Sequence, residues 1–193
     1  MEKKFSIGFR VWHLLNMVAI FGLAFTGFAR VSFLNKHDVA QKIVAGLADK
    51  GITLSEDIAV TIAKTIRAEV WEWHYIFAPL LGMAIALRIF LVITKRVDIP
   101  LTGLFTSTGI QEKVKYLIHS LICLVIVVMA VTGALYYYHD ALGIAKESIK
   151  WTEELHSTLF IPLMVLVALH IIGVIKHEIS TGESIVSRMI HGE

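Results

Sequence analysis

One cysteine, Cys123 in an apolar run, is all the thiol chemistry this chain has. An internal disulfide framework and the C-x-x-C-H signature of covalent c-type haem both need two, so both are excluded. Charge is scarce as well. Lys, Arg, Asp and Glu make up 18% of the 193 residues against 56% hydrophobic, and the mean hydropathy is +0.70. A soluble domain of this length carries more charge, so this composition is that of an integral membrane protein. The net charge of +2 is too small to point to a nucleic-acid partner. Acid is absent from the depths of every long apolar run. That leaves little for a proton relay or a zinc site to work with.

What is present is apolar length. Four stretches suffice to span a bilayer, at about residues 11–29, 75–94, 116–138 and 157–175. Lys3 and Lys4 precede the first, but its apolar run is too long for a signal peptide and no A-x-A site follows. It reads as a retained helix. Bases are dense before the first span and between residues 95 and 115, while bases elsewhere are spread thin or matched by acids. The positive-inside rule therefore puts both termini in the cytoplasm. The fold expected is all-α: one domain over residues 1–193, a four-helix membrane bundle.

"HSTLFIPLMVLVALH", residues 156–170, begins and ends with histidine. Fourteen helical residues separate the two side chains by about 21 Å, on nearly the same face. That is most of the roughly 30 Å hydrocarbon core. The other histidines fall into the same two levels: His74 with His156 at the outer surface, and His13 and His119 with His170 at the inner. His37 and His139 fall in outer loops, and His177 and His191 in the cytoplasmic tail.

The chain also looks weakly duplicated. Thirteen residues separate His13 from Thr26-Gly27, and thirteen separate His119 from Thr132-Gly133. Arg88 follows His74 by fourteen residues as His170 follows His156, and Pro79 and Pro162 lie early in their spans. Helices one and two thus resemble three and four, a parallel repeat.

Ionisable side chains within spans are retained mainly where they face a partner. Two imidazoles on opposite helices suit a haem iron, whose axial positions lie on either side of the macrocycle. Gly22, Gly27, Gly82 and Gly133 would clear room for a flat group, although glycine is common in packed membrane helices anyway. Arg88, six residues inside a span, wants an anion such as a haem propionate or a route to the headgroups. Arg10 sits at the same inner level.

The segments "FRVWHLLNMVAIFGLAFTG", "WEWHYIFAPLLGMAIALRI" and "ELHSTLFIPLMVLVALHIIGVIKHE" resemble the helices of the bacterial cytochrome b561 family. That family includes the b-type cytochrome subunits of nickel-iron hydrogenases. The resemblance covers nearly the whole chain except the first outer loop. It implies two b haems, an inner one held by His13 and His170 and an outer one held by His74 and His156. Arg10 and Arg88 would then meet propionates, and His119 would lie near the inner haem or a quinone. It also implies a cytochrome carrying electrons between the quinone pool and an extracytoplasmic subunit such as a hydrogenase, dehydrogenase or reductase. Two rivals stay open: a stand-alone superoxide:quinone oxidoreductase of the same family, and a haem-free membrane carrier. Self-association is left open too.

The loop between the first two spans, about residues 35–72, departs from the compact family pattern. "DVAQKIVAGLADKG" offers a cap at Asp38 and a stop at Gly51. "SEDIAVTIAKTIRAEVWEW" offers a cap at Ser55 and an apolar stripe of Ile58, Ile62, Ile66 and Val70. An extracytoplasmic hairpin of amphipathic helices is expected. It would pack on itself and the bundle rim, or dock a redox partner.

Overall fold

The computed structural model describes residues 5–192; Lys3 and Lys4, which enter the charge argument, lie outside the described residues. The fold is all-helical, with 81% of residues in helices and no strand among the described residues. In order these are α1 (Ile7–Val31), α2 (Lys36–Ala48), α3 (Glu56–Ile93), α4 (Pro100–Thr106), α5 (Ile110–Tyr137), a 3-10 turn (Lys146–Ile149), α6 (Lys150–Thr158), α7 (Phe160–Thr181) and α8 (Ile185–Ile190). Four helical segments are long and apolar enough to cross a membrane.

The helices overrun the expected spans. α3 has 38 residues and passes through Pro79 without ending. At 1.5 Å per residue a helix of that length rises about 57 Å, nearly twice the hydrocarbon core, so the second helix expected in the first loop and the second span are one continuous helix. The fourth span is interrupted instead. α6 ends at Thr158 and α7 begins at Phe160, with Leu159 between them at φ −73° and ψ −9°. Pro162 explains the break, because it has no N–H to offer the Thr158 carbonyl and its ring crowds that oxygen. Leu159 itself is right-handed helical. Its N–H donates to the Leu155 carbonyl and its carbonyl accepts from the Leu163 N–H, both at 3.0 Å. His156 and His170 therefore stay on one spanning segment with a local kink at Pro162.

The chain divides into two compact units, a larger one of Met1–Leu14 with Gly82–Glu193 and a smaller one of Leu15–Leu81. In the smaller unit α2 and the start of α3 meet on small side chains. Ala40, Ala59 and Ala63 are buried, with Val39, Ile43, Val44, Leu54 and Val60 packed around them. The isoleucine stripe, expected either to pack within the hairpin and on the bundle rim or to dock a partner, is not in that contact. Ile58, Ile62 and Ile66 are 53%, 40% and 49% exposed, because alanine lets the two backbones approach and the larger residues then project outward. The α2 cap differs too. Asn35, not Asp38, caps the helix, its side-chain oxygen accepting from the His37 N–H at 3.0 Å. Asn35 is the last extended residue (ψ 128°), so its side chain is the one that faces the free amides of the first turn.

In the larger unit α5 packs against α4, α6 and α7. Gly103 lies directly under the Tyr116 ring, where a Cβ would overlap it. Gly182, at φ 74°, ends α7 in the left-handed conformation that glycine adopts at least cost. Beyond it Glu183 accepts from Arg188 Nη2 at 2.8 Å. That bond and a second from His177 hold the exposed Glu183 carboxyl below its ordinary value of 4.5.

Candidate functional site

Three imidazoles converge in the larger unit: His13 near the start of α1, His119 on α5 and His170 on α7. The His13 and His170 ring centroids are 6.3 Å apart with planes at 48°. Those of His119 and His170 are 4.8 Å apart and edge to face. The distances separate the two pairings that spacing in the sequence left equivalent. Two imidazoles on either side of one metal, each at about 2 Å, have centroids roughly 6 Å apart once the ring radii are added. His13 and His170 meet that separation, and His119 is too close to His170 for it. The His119 Nδ1–H donates to the Lys115 carbonyl at 2.6 Å. His13 Nδ1 is buried and has no partner among the described residues.

Arg88 closes this cluster. Its guanidinium carbon lies 4.5 Å from the Trp12 ring centroid and 5.8 Å from that of Phe9. Nη2 donates to the Asp98 carbonyl at 3.0 Å, while Nη1 is buried and unpartnered among the described residues. The side chain is therefore clamped inside the fold beside the residue next to His13, with a donor to spare. Arg10 is placed differently. Its Nε donates to Met189 O at 3.0 Å and Nη2 donates to Ile190 O, so its fork caps the C-terminal end of α8.

His74 and His156 repeat one another's surroundings, each within its own unit. In the smaller, His74 Nδ1 is 2.8 Å from Thr26 Oγ1. The Thr26 hydroxyl hydrogen is committed to the Gly22 or Leu23 carbonyl, both at 3.0 Å. Thr26 Oγ1 thus accepts from Nδ1–H, and Nε2 keeps its lone pair. In the larger, the His156 Nδ1–H donates to the Met129 carbonyl at 2.8 Å, with Thr132 Oγ1 at 3.4 Å. Thr26 and Thr132 are the duplicated Thr-Gly positions, and both are buried. The pattern is that of metal-binding histidines, whose second nitrogen is held by a hydroxyl or carbonyl acceptor that fixes the ring.

The glycines divide. A Cβ on Gly133 would sit 3.0 Å from His156 Cε1, so this glycine lets the imidazole approach α5. Gly22 is filled by the Phe77 ring, whereas a Cβ at Gly27 or Gly82 would meet nothing within 4 Å. Of the remaining histidines, His139 lies 3.2 Å from Asp140 and His177 3.4 Å from Glu183.

A scan against family models matches residues 4–192 to the prokaryotic cytochrome b561 family. The chain belongs to that family. Neither curated proteins nor solved structures yield a match. Membership, with four apolar spanning helices, makes this a bacterial multi-pass membrane cytochrome that transfers electrons through b-type haem. The residues present fit such a group. Imidazoles with fixed Nδ1 atoms, a pair at the two-ligand separation and a spare buried guanidinium donor suit haem. Among the described residues no three His, Cys, Asp or Glu side chains gather as a metal cluster; a haem iron asks the protein for only two.

Sequence reasoning missed the partners that orient these ligands. The Thr-Gly pairs marked the duplication, but nothing in the spacing says that a threonine on one helix reaches a histidine on the next. Trp12 carried a signal only by adjacency to His13.

Proposed function

We propose that the chain holds two b haems, the inner between His13 and His170 and the outer between His74 and His156. Through them it passes electrons between the quinone pool and an extracytoplasmic redox protein. The 6.3 Å separation of the His13 and His170 rings carries this reading; the matched engagement of His74 and His156 through Nδ1 supports it. Both termini lie in the cytoplasm in this reading, so the His13 level faces the cytoplasmic surface.

Bound haem supplies one-electron chemistry. The protein's part is positional. With two imidazoles to each iron, His13 and His170 and likewise His74 and His156 would leave no place for oxygen or a substrate, and the chain would conduct electrons without bond chemistry. Thr26 and the Met129 carbonyl hold the outer rings in the tautomer that presents Nε2. Arg88 would supply a half-buried cation at the inner level, and its buried Nη1 would donate to a propionate oxygen. His119, whose Nδ1–H is held by the Lys115 carbonyl, keeps an unprotonated Nε2 that can accept the O–H of a quinol.

A reduced-minus-oxidised spectrum with a pyridine haemochrome assay on purified protein is the test, with two haems per chain expected. No haem would overturn the reading in favour of a carrier. Quinone reduction by superoxide without any partner would replace the partner with the stand-alone activity.

A further inference from the structure

Within the smaller unit lies a shallow cavity of about 290 Å³ lined by Arg30, Lys64, Arg67, Ala68 and Trp71. Three cations face it and no carboxylate does. None of the three has an ion pair among the described residues. Three cations around one hollow repel each other, an arrangement that an anion between them would relieve. Arginine forks suit a carboxylate or phosphate, which they take in two parallel hydrogen bonds.

The cavity joins His74 through one ring. The Arg30 guanidinium carbon lies 4.1 Å from the Trp71 ring centroid. Trp71 in turn lies flat on His74, with centroids 4.4 Å apart and planes within 7°. On α3 the positions Lys64, Arg67, Trp71 and His74 are spaced three, four and three residues apart, so they line one helix face. Arg67 is about two turns, roughly 10 Å, above His74 on that face. An anion held there lies on the helix face that carries His74.

We propose that Arg30, Lys64 and Arg67 form an oxyanion site for a propionate carboxylate of the haem that His74 holds. The proposal rests on the two-haem reading and adds the residues that anchor the outer haem's charged edge. Arg67 and Arg30 bind the carboxylate, Lys64 adds charge, and Trp71 keeps Arg30 and His74 in register.

The test uses the full chain with its haems in phosphatidylcholine nanodiscs. Haem content and both midpoint potentials are measured for wild type, Arg67→Gln, Arg67→Lys and Arg30→Gln. Both haems should stay in every variant. The outer midpoint should fall in the two glutamine variants, since the carboxylate loses its counter-charge, and Arg67→Lys should recover most of the fall. The inner midpoint should not move. The rate of outer-haem loss is measured as well: it should rise in Arg67→Gln with native haem, and reconstitution with haem dimethyl ester, which has no free carboxylate, should leave wild type and Arg67→Gln with equal rates. Two haems with an unmoved outer midpoint would overturn the site and leave the haem reading standing. So would an equal rise in the rate of loss in the ester-reconstituted protein, or effects seen only when anionic lipid is added, which would assign the anion to a headgroup phosphate. Wild type with fewer than two haems would overturn the two-haem reading and this inference together. Should Arg67→Gln misfold, Arg30→Gln carries the same comparison.

Discussion

The His119 ring meets the His170 ring edge to face, with centroids 4.8 Å apart. That contact is too short for a metal between the two rings, while His13 stands 6.3 Å from the same residue. His13→Ala is therefore expected to abolish the six-coordinate spectrum of the inner haem. His119→Ala should keep both haems and at most slow quinone turnover. Optical spectra and haem content of the two variants check this. The reverse outcome would assign the inner ligand to α5.

Thr26 and Thr132 occupy duplicated positions but do unequal jobs. Thr26 Oγ1 is 2.8 Å from His74 Nδ1. Thr132 is 3.4 Å from His156 Nδ1, which already has the Met129 carbonyl at 2.8 Å. Loss of a bond that orients a ligand weakens metal affinity by about tenfold or more. Thr26→Val should raise the rate of outer-haem loss by about that factor, and Thr132→Val much less. Equal effects in a haem-transfer assay would contradict the asymmetry.

Gly133 gives His156 its place. A Cβ there would stand 3.0 Å from Cε1 and 3.2 Å from Nδ1 of the imidazole. Overpacking of this kind costs about 1–3 kcal/mol. Gly133→Ala should lower outer-haem occupancy and leave the inner spectrum intact. Gly27→Ala, which meets nothing within 4 Å, should do so only if bound haem fills that space. Haem stoichiometry reads both.

Arg88 is clamped on Trp12 with Nη1 unpartnered among the described residues. A nearby cation favours the more negative, reduced haem, and its influence fades with distance and screening. Arg88→Leu should lower the inner potential and leave the outer nearly untouched in a redox titration that resolves both. Equal shifts, or none, would return Arg88 to a purely structural role.

Acid should loosen the C-terminal segment. Glu183 is held below its ordinary 4.5 by Arg188 and His177. A carboxylate depressed on folding stabilises above its unfolded value, and that contribution is lost as pH falls through the folded one. A spin label on Met189 in a Cys123→Ser background should grow mobile as pH drops below the ordinary value, and Glu183→Gln should be mobile throughout. Label mobility insensitive to both would show that the Arg10 bonds alone hold the segment.

Much of this protein is written locally. Apolar length and the scarcity of charge sufficed for four membrane-crossing helices. Histidine spacing sufficed to put His156 and His170 about 21 Å apart along one apolar segment, since depth and helical face follow from rise and turn per residue alone. Pro162 carried the break before α7 as well, through an N–H that is not there. Tertiary structure decided what depends on how helices are rotated against their neighbours. It put His13 and not His119 at the two-ligand separation from His170. It tied Arg10 to the end of α8 and clamped Arg88 on Trp12. It also buried Ala59 and Ala63 and left the isoleucine stripe out of that contact. A period of 3.6 residues says which side chains share a face, and only packing says what that face meets.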